Sequence, residues 1–270
     1  MQTEYHPETE VYPLKVSGVH QRLTDGQIIW EHHPDRPYNA ASLGKIWITA
    51  AAFALAERGD VDLHSPTQIS WQEFLDGNYG TGRLRHKFLL HALVSRKTDH
   101  QLIPTLTMHT LLKYTIRHSD NLATLKVANA LGRPNLQRVI NSWGLDNTTI
   151  FDPEKDQSNY TTASDVTKFL SLLERGELIR DYYSNSIINW MRNRQARNRE
   201  GLENEIIYHD GKASDGHLSF CHRAGYIFGQ QANHLFVILT KDQPNRGTEV
   251  TGRQVKEMEE MTDGIVKISI

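Results

Sequence analysis

Alternation of apolar and polar residues, the signature of a half-buried strand, occurs only towards the two ends of this chain; the roughly one hundred residues between repeat at helical spacing. Leu14 to His32 reads as a β-hairpin, with Leu14, Val16 and Val19 on one arm and Gln27 to Trp30 on the other. Asp25-Gly26 between the arms supplies the positive φ angles that a tight turn needs. Strand character returns only at Leu218 to Gly225, Tyr226 to Gly229 and His234 to Thr240. In the middle, Ile46, Ala50, Phe53 and Ala54 share one face of a helix that ends before Gly59. Leu111, Leu112, Thr115 and Ile116 mark a second helix capped by Thr107, and Leu122, Leu125 and Ala128 a third that stops at Gly132. Pro134 opens a fourth, closed by Gly144. Thr162 to Glu174, Arg180 to Met191 and Val250 to Ile265 are again helical.

This order predicts an α/β protein of the α+β type. An antiparallel sheet formed by both chain ends and flanked by helices carries an inserted all-α lobe. The expected division is residues 1–41 with 163–270 against 42–162, with the active site in the cleft between them. Composition then removes several functions. Thirty Lys and Arg against 32 Asp and Glu leave a formal charge of −2, so no global field recruits nucleic acid or an anionic membrane. The longest nearly apolar run, Ile46 to Ala56, is about half the ~20 residues that span a bilayer. No transmembrane segment and no export signal are read, which makes the chain cytoplasmic as written. The single cysteine, Cys221, forbids an intramolecular disulfide and a thiolate zinc cluster, and no His-Glu-x-x-His occurs, so neither metal nor cofactor is expected.

Three short segments carry the chemistry. Ser42-Leu43-Gly44-Lys45 sets a hydroxyl and an amine three residues apart at a helix start, on one face. The positive end of the helix dipole disfavours an ammonium there, and a neutral lysine can take the serine proton. Ser119-Asp120-Asn121 falls in the turn between the second and third helices. Its serine, the second in the set, can pass a proton to a leaving nitrogen and its asparagine can bind a substrate carbonyl, although all three residues are also good helix caps. Arg223-Ala224-Gly225 lies in a late strand, where a cation can face an anionic group and the Tyr226 N–H can meet an oxyanion.

Taken together these segments resemble the penicilloyl-serine transferases, and most closely the class A β-lactamases. Ser42-Leu43-Gly44-Lys45 is similar to the family's Ser-x-x-Lys, Ser119-Asp120-Asn121 matches its Ser-Asp-Asn, and Arg223-Ala224-Gly225 stands in for Lys-Thr/Ser-Gly. Asn159-Tyr160-Thr161-Thr162-Ala163 looks like the segment that ends the omega loop. The resemblance spans roughly residues 14 to 265. It implies a β-lactamase/transpeptidase-like fold and a monomer acting on a small β-lactam or peptidoglycan-like acyl substrate, in a family that usually works outside the cytoplasm.

Site roles follow from the same resemblance: Ser42 as nucleophile, Lys45 as base and Ser119 as proton donor to the leaving nitrogen. Asn121, Arg223, Gly225 and Tyr226 contact the substrate. Two departures stand out. Arginine cannot shuttle a proton and Ala224 has no hydroxyl. Asp152-Pro153-Glu154 occupies the place of Glu-Pro-Glu, so the water-activating acid is Asp152, one carbon short, or its neighbour Glu154. A β-lactam hydrolase is the leading reading. A penicillin-binding protein or sensor that acylates without turnover is the alternative, with a D-alanyl-D-alanine peptidase or esterase as a third. Ala40-Ala41-Ser42-Leu43-Gly44 also imitates the nucleophile elbow of α/β-hydrolases, but an elbow follows a buried strand, and here Pro34 and Pro37 precede it.

Overall fold

Strands from opposite ends of the chain pair with one another in the computed structural model, which describes residues 14–68, 106–150, 159–194, 205–214, 219–229, 232–242 and 252–268. The N-terminal hairpin is β1 (Lys15–Arg22) and β2 (Ile28–His32). Its turn closes through Arg22 N to Gln27 O at 2.9 Å, with Gly26 at φ +71. The C-terminal strands are β7 (Glu205–Ser214), β8 (Ser219–Phe228) and β9 (Asn233–Asp242). They form one five-stranded sheet in the order β2-β1-β9-β8-β7, antiparallel throughout. Two short ladders join β3 (Tyr38–Asn39) to β6 (Tyr160–Thr161) and β4 (Pro66–Thr67) to β5 (Leu106–Thr107).

Seven helices are found among the described residues: α1 (Gly44–Glu57), α2 (Met108–Arg117), α3 (Asn121–Leu131), α4 (Arg133–Ser142), α5 (Ala163–Glu174), α6 (Asp181–Arg194) and α7 (Gly252–Ile268). Thr107 caps α2 by accepting from Thr110 N, and Thr162 caps α5 by accepting from Asp165 N. Helix α1 is buried from Gly44 through Leu55. A helix apolar on all sides belongs at the centre of a core, and Ala50, Ala51, Ala52 and Ala54 let its neighbours approach closely. The sheet has a layer on each face. Ala224, Tyr226, Leu235, Val237 and Leu239 join the main helical core, while Cys221, Ile227, Phe236 and Ile238 pack against Met258 and Ile265 of α7. That alternation is the period-two geometry of strands.

Two strand boundaries differ from the sequence expectation. The break expected at Gly225 does not occur, because β8 runs unbroken through it. A Cβ there would overlap the Ile207 carbonyl oxygen and lie 2.5 Å from Tyr208 Cα, so this glycine permits close approach of β7. And β7 itself was not expected. Its Asp210-Gly211 pair reads locally as a turn, yet cross-strand pairing of Glu205 to Ser214 with Phe228 to Ser219 overrides that preference.

Burial shifts the titration of two of the buried histidines strongly. His222 donates from Nε2 to the Asn39 carbonyl at 2.6 Å and accepts the Thr240 N–H at Nδ1, tying β8 to β3 and β9. Burial lowers its pKa from the ordinary 6.5 to about 4. His20, 3.0 Å from His234, is likewise lowered to about 4, by burial first and by His234 second. Between pH 6.5 and 4 the unfolded chain therefore binds protons that the folded chain refuses, and stability falls as pH falls through that window. The denaturant midpoint should be flat above about pH 7 and drop steadily towards pH 4. A midpoint unchanged over that range would contradict the neutral buried pair.

Candidate active site

Ser42 sits in a short 3-10 turn, Ala41–Leu43, that leads into α1. The residue before it, Ala41, is held at φ +48, a conformation that L-residues adopt only when their surroundings fix it. Both ends of that residue are fixed: Asn39 Oδ1 accepts the Ala41 N–H at 2.9 Å and Asn159 Nδ2 donates to the Ala41 carbonyl at 3.0 Å. The turn that carries Ser42 is thus fastened to β3 and to the residue that precedes β6.

Lys45 follows one turn later and is 6 % exposed. Four oxygens surround its Nζ: Ser42 Oγ at 3.1 Å, Ser119 Oγ at 2.9 Å, the Ser119 carbonyl at 2.6 Å and Asn121 Oδ1 at 2.6 Å. The last two can only accept. An uncharged amine has two N–H groups for them and keeps a lone pair for one of the two hydroxyls. The nitrogen therefore bridges both serines.

The turn that presents Ser119 is itself strained, at φ +50. Asp120 is fully buried and caps α3 by accepting the Ala123 N–H at 3.0 Å. The capping role belongs to this one residue of the triplet. Ser119 and Asn121, on either side, are left to face Lys45, and because Asn121 Oδ1 is taken by the lysine, its amide NH2 is the group available to a substrate carbonyl.

The other wall is β7, one of the two edge strands of the sheet. His209 Nε2 lies 3.1 Å from the Ser42 carbonyl oxygen. A Cβ on Gly211 would lie 3.0 Å from Leu43 N and 3.1 Å from the Ala40 carbonyl, so glycine eases the close meeting of this strand with the Ser42 turn. The glycine-terminated triplet beside Ser42 is His209-Asp210-Gly211, and Arg223-Ala224-Gly225 lies one strand further in. The β-branched and aromatic run Ile206-Ile207-Tyr208 was the available sequence signal for this strand.

The expectations for Arg223, Gly225 and Tyr226 are corrected accordingly. Arg223 projects from the sheet face opposite Ser42, where Nε pairs with Asp210 Oδ1 at 2.9 Å and the guanidinium reaches Thr262 Oγ1 of α7. Gly225 meets the backbone of β7. Tyr226 is in an interior strand paired on both sides, and its hydroxyl donates to the Leu170 carbonyl at 2.9 Å, so neither its backbone nor its side chain reaches the pocket. Asp152 and Glu154 lie outside the described residues.

Asn159 is a residue that the sequence reading placed in the loop without a role. Its Oδ1 is buried with no hydrogen-bond partner among the described groups, directly over Gly44, where a Cβ would overlap the Asn159 amide. An orphaned acceptor at such a place is what a bound water needs. Cys221, by contrast, is a core thiol pushed up to about 11 by burial, 3.8 Å from Met258 Sδ, and is no rival nucleophile. Among the described residues no cluster of three or more metal-ligating side chains is found, and no helix is long and apolar enough to cross a membrane.

A sheet built from both chain ends, with a Ser-x-x-Lys turn entering a buried central helix beside it, is a serine β-lactamase-like fold. Solved structures agree at low identity. A beta-lactamase from Chitinophaga pinensis DSM 2588 matches with a TM-score of 0.72 at 16% identity, covering 88% of this chain and 87% of the other. One from Sphaerobacter thermophilus DSM 20745 matches at 0.69 and 19%, covering 86% and 84%. PBP-A matches at 0.67 and 20%, covering 85% and 82%. No curated protein sequence matches significantly. The model of the beta-lactamase enzyme family covers residues 8–262, and the chain belongs to that family.

Proposed function

We propose that the protein is a serine hydrolase that opens β-lactam amides through an acyl-enzyme on Ser42. The observation that carries this reading is the position of Lys45 Nζ, within hydrogen-bond reach of both Ser42 Oγ and Ser119 Oγ. Lys45 accepts the Ser42 proton as Oγ attacks the lactam carbonyl. The oxyanion forms beside the Ser42 N–H and beside the edge of β7. The proton returns through Lys45 and Ser119 to the nitrogen as the C–N bond breaks, leaving an ester on Ser42. The Asn121 amide holds the substrate's side-chain carbonyl. Water then cleaves the ester, with the Asn159 oxygen as its anchor and Asp152 or Glu154 as the base.

A second reading, a penicillin-binding protein that acylates and stalls, is favoured by one feature: the acid in the expected base position is the shorter Asp152. One experiment separates the two. A chromogenic cephalosporin is added and both absorbance and intact mass are followed. Continuous release of product with little adduct is expected. A persistent stoichiometric adduct would give the second reading, and neither signal would overturn both.

A further inference from the structure

Ser42 lies between two peptide groups, and a side chain from a different part of the fold holds each of them. The carbonyl of the Ala41–Ser42 peptide accepts from Asn159 Nδ2 at 3.0 Å. The carbonyl of the Ser42–Leu43 peptide lies 3.1 Å from His209 Nε2. A carbonyl only accepts, so His209 carries a hydrogen on Nε2 and donates it. The ladder of α1 opens with the carbonyl of its N-cap, Leu43, and the Ser42 carbonyl stands one residue ahead of it. Each peptide group is planar, so holding the two that flank Ser42 fixes its φ and ψ and the direction in which Cβ leaves the chain. The hold is needed, because Ala41 next to it is kept at φ +48. His209 can supply it because the residue is fully buried, on a strand paired with β8 through Ala224, with Gly211 lying against the same turn. That complete burial also leaves its ring no surface for a ligand.

We propose that His209 is a positioning residue for the reaction at Ser42: by donating from Nε2 to the Ser42 carbonyl it sets the backbone of that residue and keeps Oγ directed at Lys45 Nζ. The inference rests on the reading of Ser42 as the acylated residue. His209 touches the backbone of the attacking residue and not the substrate, so it acts on the rate of bond formation and leaves affinity alone. A misplacement of about 1 Å between reacting groups costs up to ~100-fold in rate, and one hydrogen bond to the peptide beside Oγ controls a displacement of that size.

The test measures acylation of the intact protein by benzylpenicillin. Rapid quenching and intact mass follow adduct formation across a range of concentrations, which separates the plateau rate from the half-saturating concentration; peptide mapping places the adduct. In His209→Met, of similar bulk but without a donor, the plateau should fall about 10- to 100-fold while half-saturation moves less than about threefold. His209→Gln brings an amide N–H to the place of Nε2 and should recover the rate to within about fivefold of wild type. His209→Asn carries the same amide one bond short and should be slow, which keeps the test open if the methionine variant folds poorly. Donor-less variants that acylate at the wild-type rate, a glutamine variant as slow as they are, or a change confined to half-saturation each overturn this inference alone. A wild type that forms no Ser42 adduct overturns the acylation reading and this inference with it.

Discussion

Replacing Ser42 with alanine should abolish the covalent adduct and lower β-lactam turnover by about 10⁵-fold or more, the scale on which loss of a serine nucleophile acts. The fold should survive the change. Ser42 is half-buried, its Oγ accepts from Lys45 Nζ at 3.1 Å, and the turn around it is fixed by contacts of the Ala41 backbone with Asn39 and Asn159 that alanine at position 42 retains. The melting temperature should therefore move by only a few degrees in either direction. The variant is informative because rate and stability separate. Initial rates with a chromogenic cephalosporin, alongside a thermal melt, decide the matter. A folded Ser42→Ala protein that still turns over would remove Ser42 from the mechanism.

The parts of this architecture that local chemistry dictates were legible in the sequence. Asp25-Gly26 marks the hairpin turn, Thr107 and Thr162 mark helix starts, and Gly132 and Gly144 mark helix ends; each acts through a nearest-neighbour preference that needs no tertiary partner. Ser42, Lys45, Ser119 and Asn121 were legible for a different reason. Each pair is close in sequence, so the spacing along a helix or across a turn already constrains which side chains share a face, and the structure brings Ser42, Ser119 and Asn121 to the Lys45 nitrogen. The third wall was not legible, and the reason is physical. Which strand borders the nucleophile depends on sheet order, a long-range property, and both β7 and β8 carry a glycine after a charged or ionisable residue. Only pairing shows that Gly211 packs on the Ser42 turn while Gly225 packs on β7. The Arg223–Asp210 pair is invisible for the same reason, since 13 residues separate its members. Asn159 could be assigned to the loop's end, but its orphaned oxygen exists only in three dimensions.

Lysine 45 is the position where chemistry and architecture are hardest to separate, and its replacement should show both. Lys45→Ala should slow Ser42 acylation by about 10²- to 10⁴-fold, the range over which a positioned base acts. It should also destabilise the protein by about 1–3 kcal/mol, because the Ser119 carbonyl and Asn121 Oδ1 each lose a donor at 2.6 Å. Those two acceptors tie the α2–α3 turn to α1, so some rate loss would follow from misplacement alone. Small primary amines distinguish the causes. In Lys45→Ala, added methylamine can occupy the vacated end of the side chain, accept the Ser42 proton and donate to the same oxygens, so acylation should rise with its concentration and with the pH that frees its lone pair. Guanidinium at matched concentration can donate but cannot act as a base, and should not restore the rate. Equal rescue by both cations would assign Lys45 a positioning role only, and an acylation rate unaffected by its removal would end the proposal that it is the base.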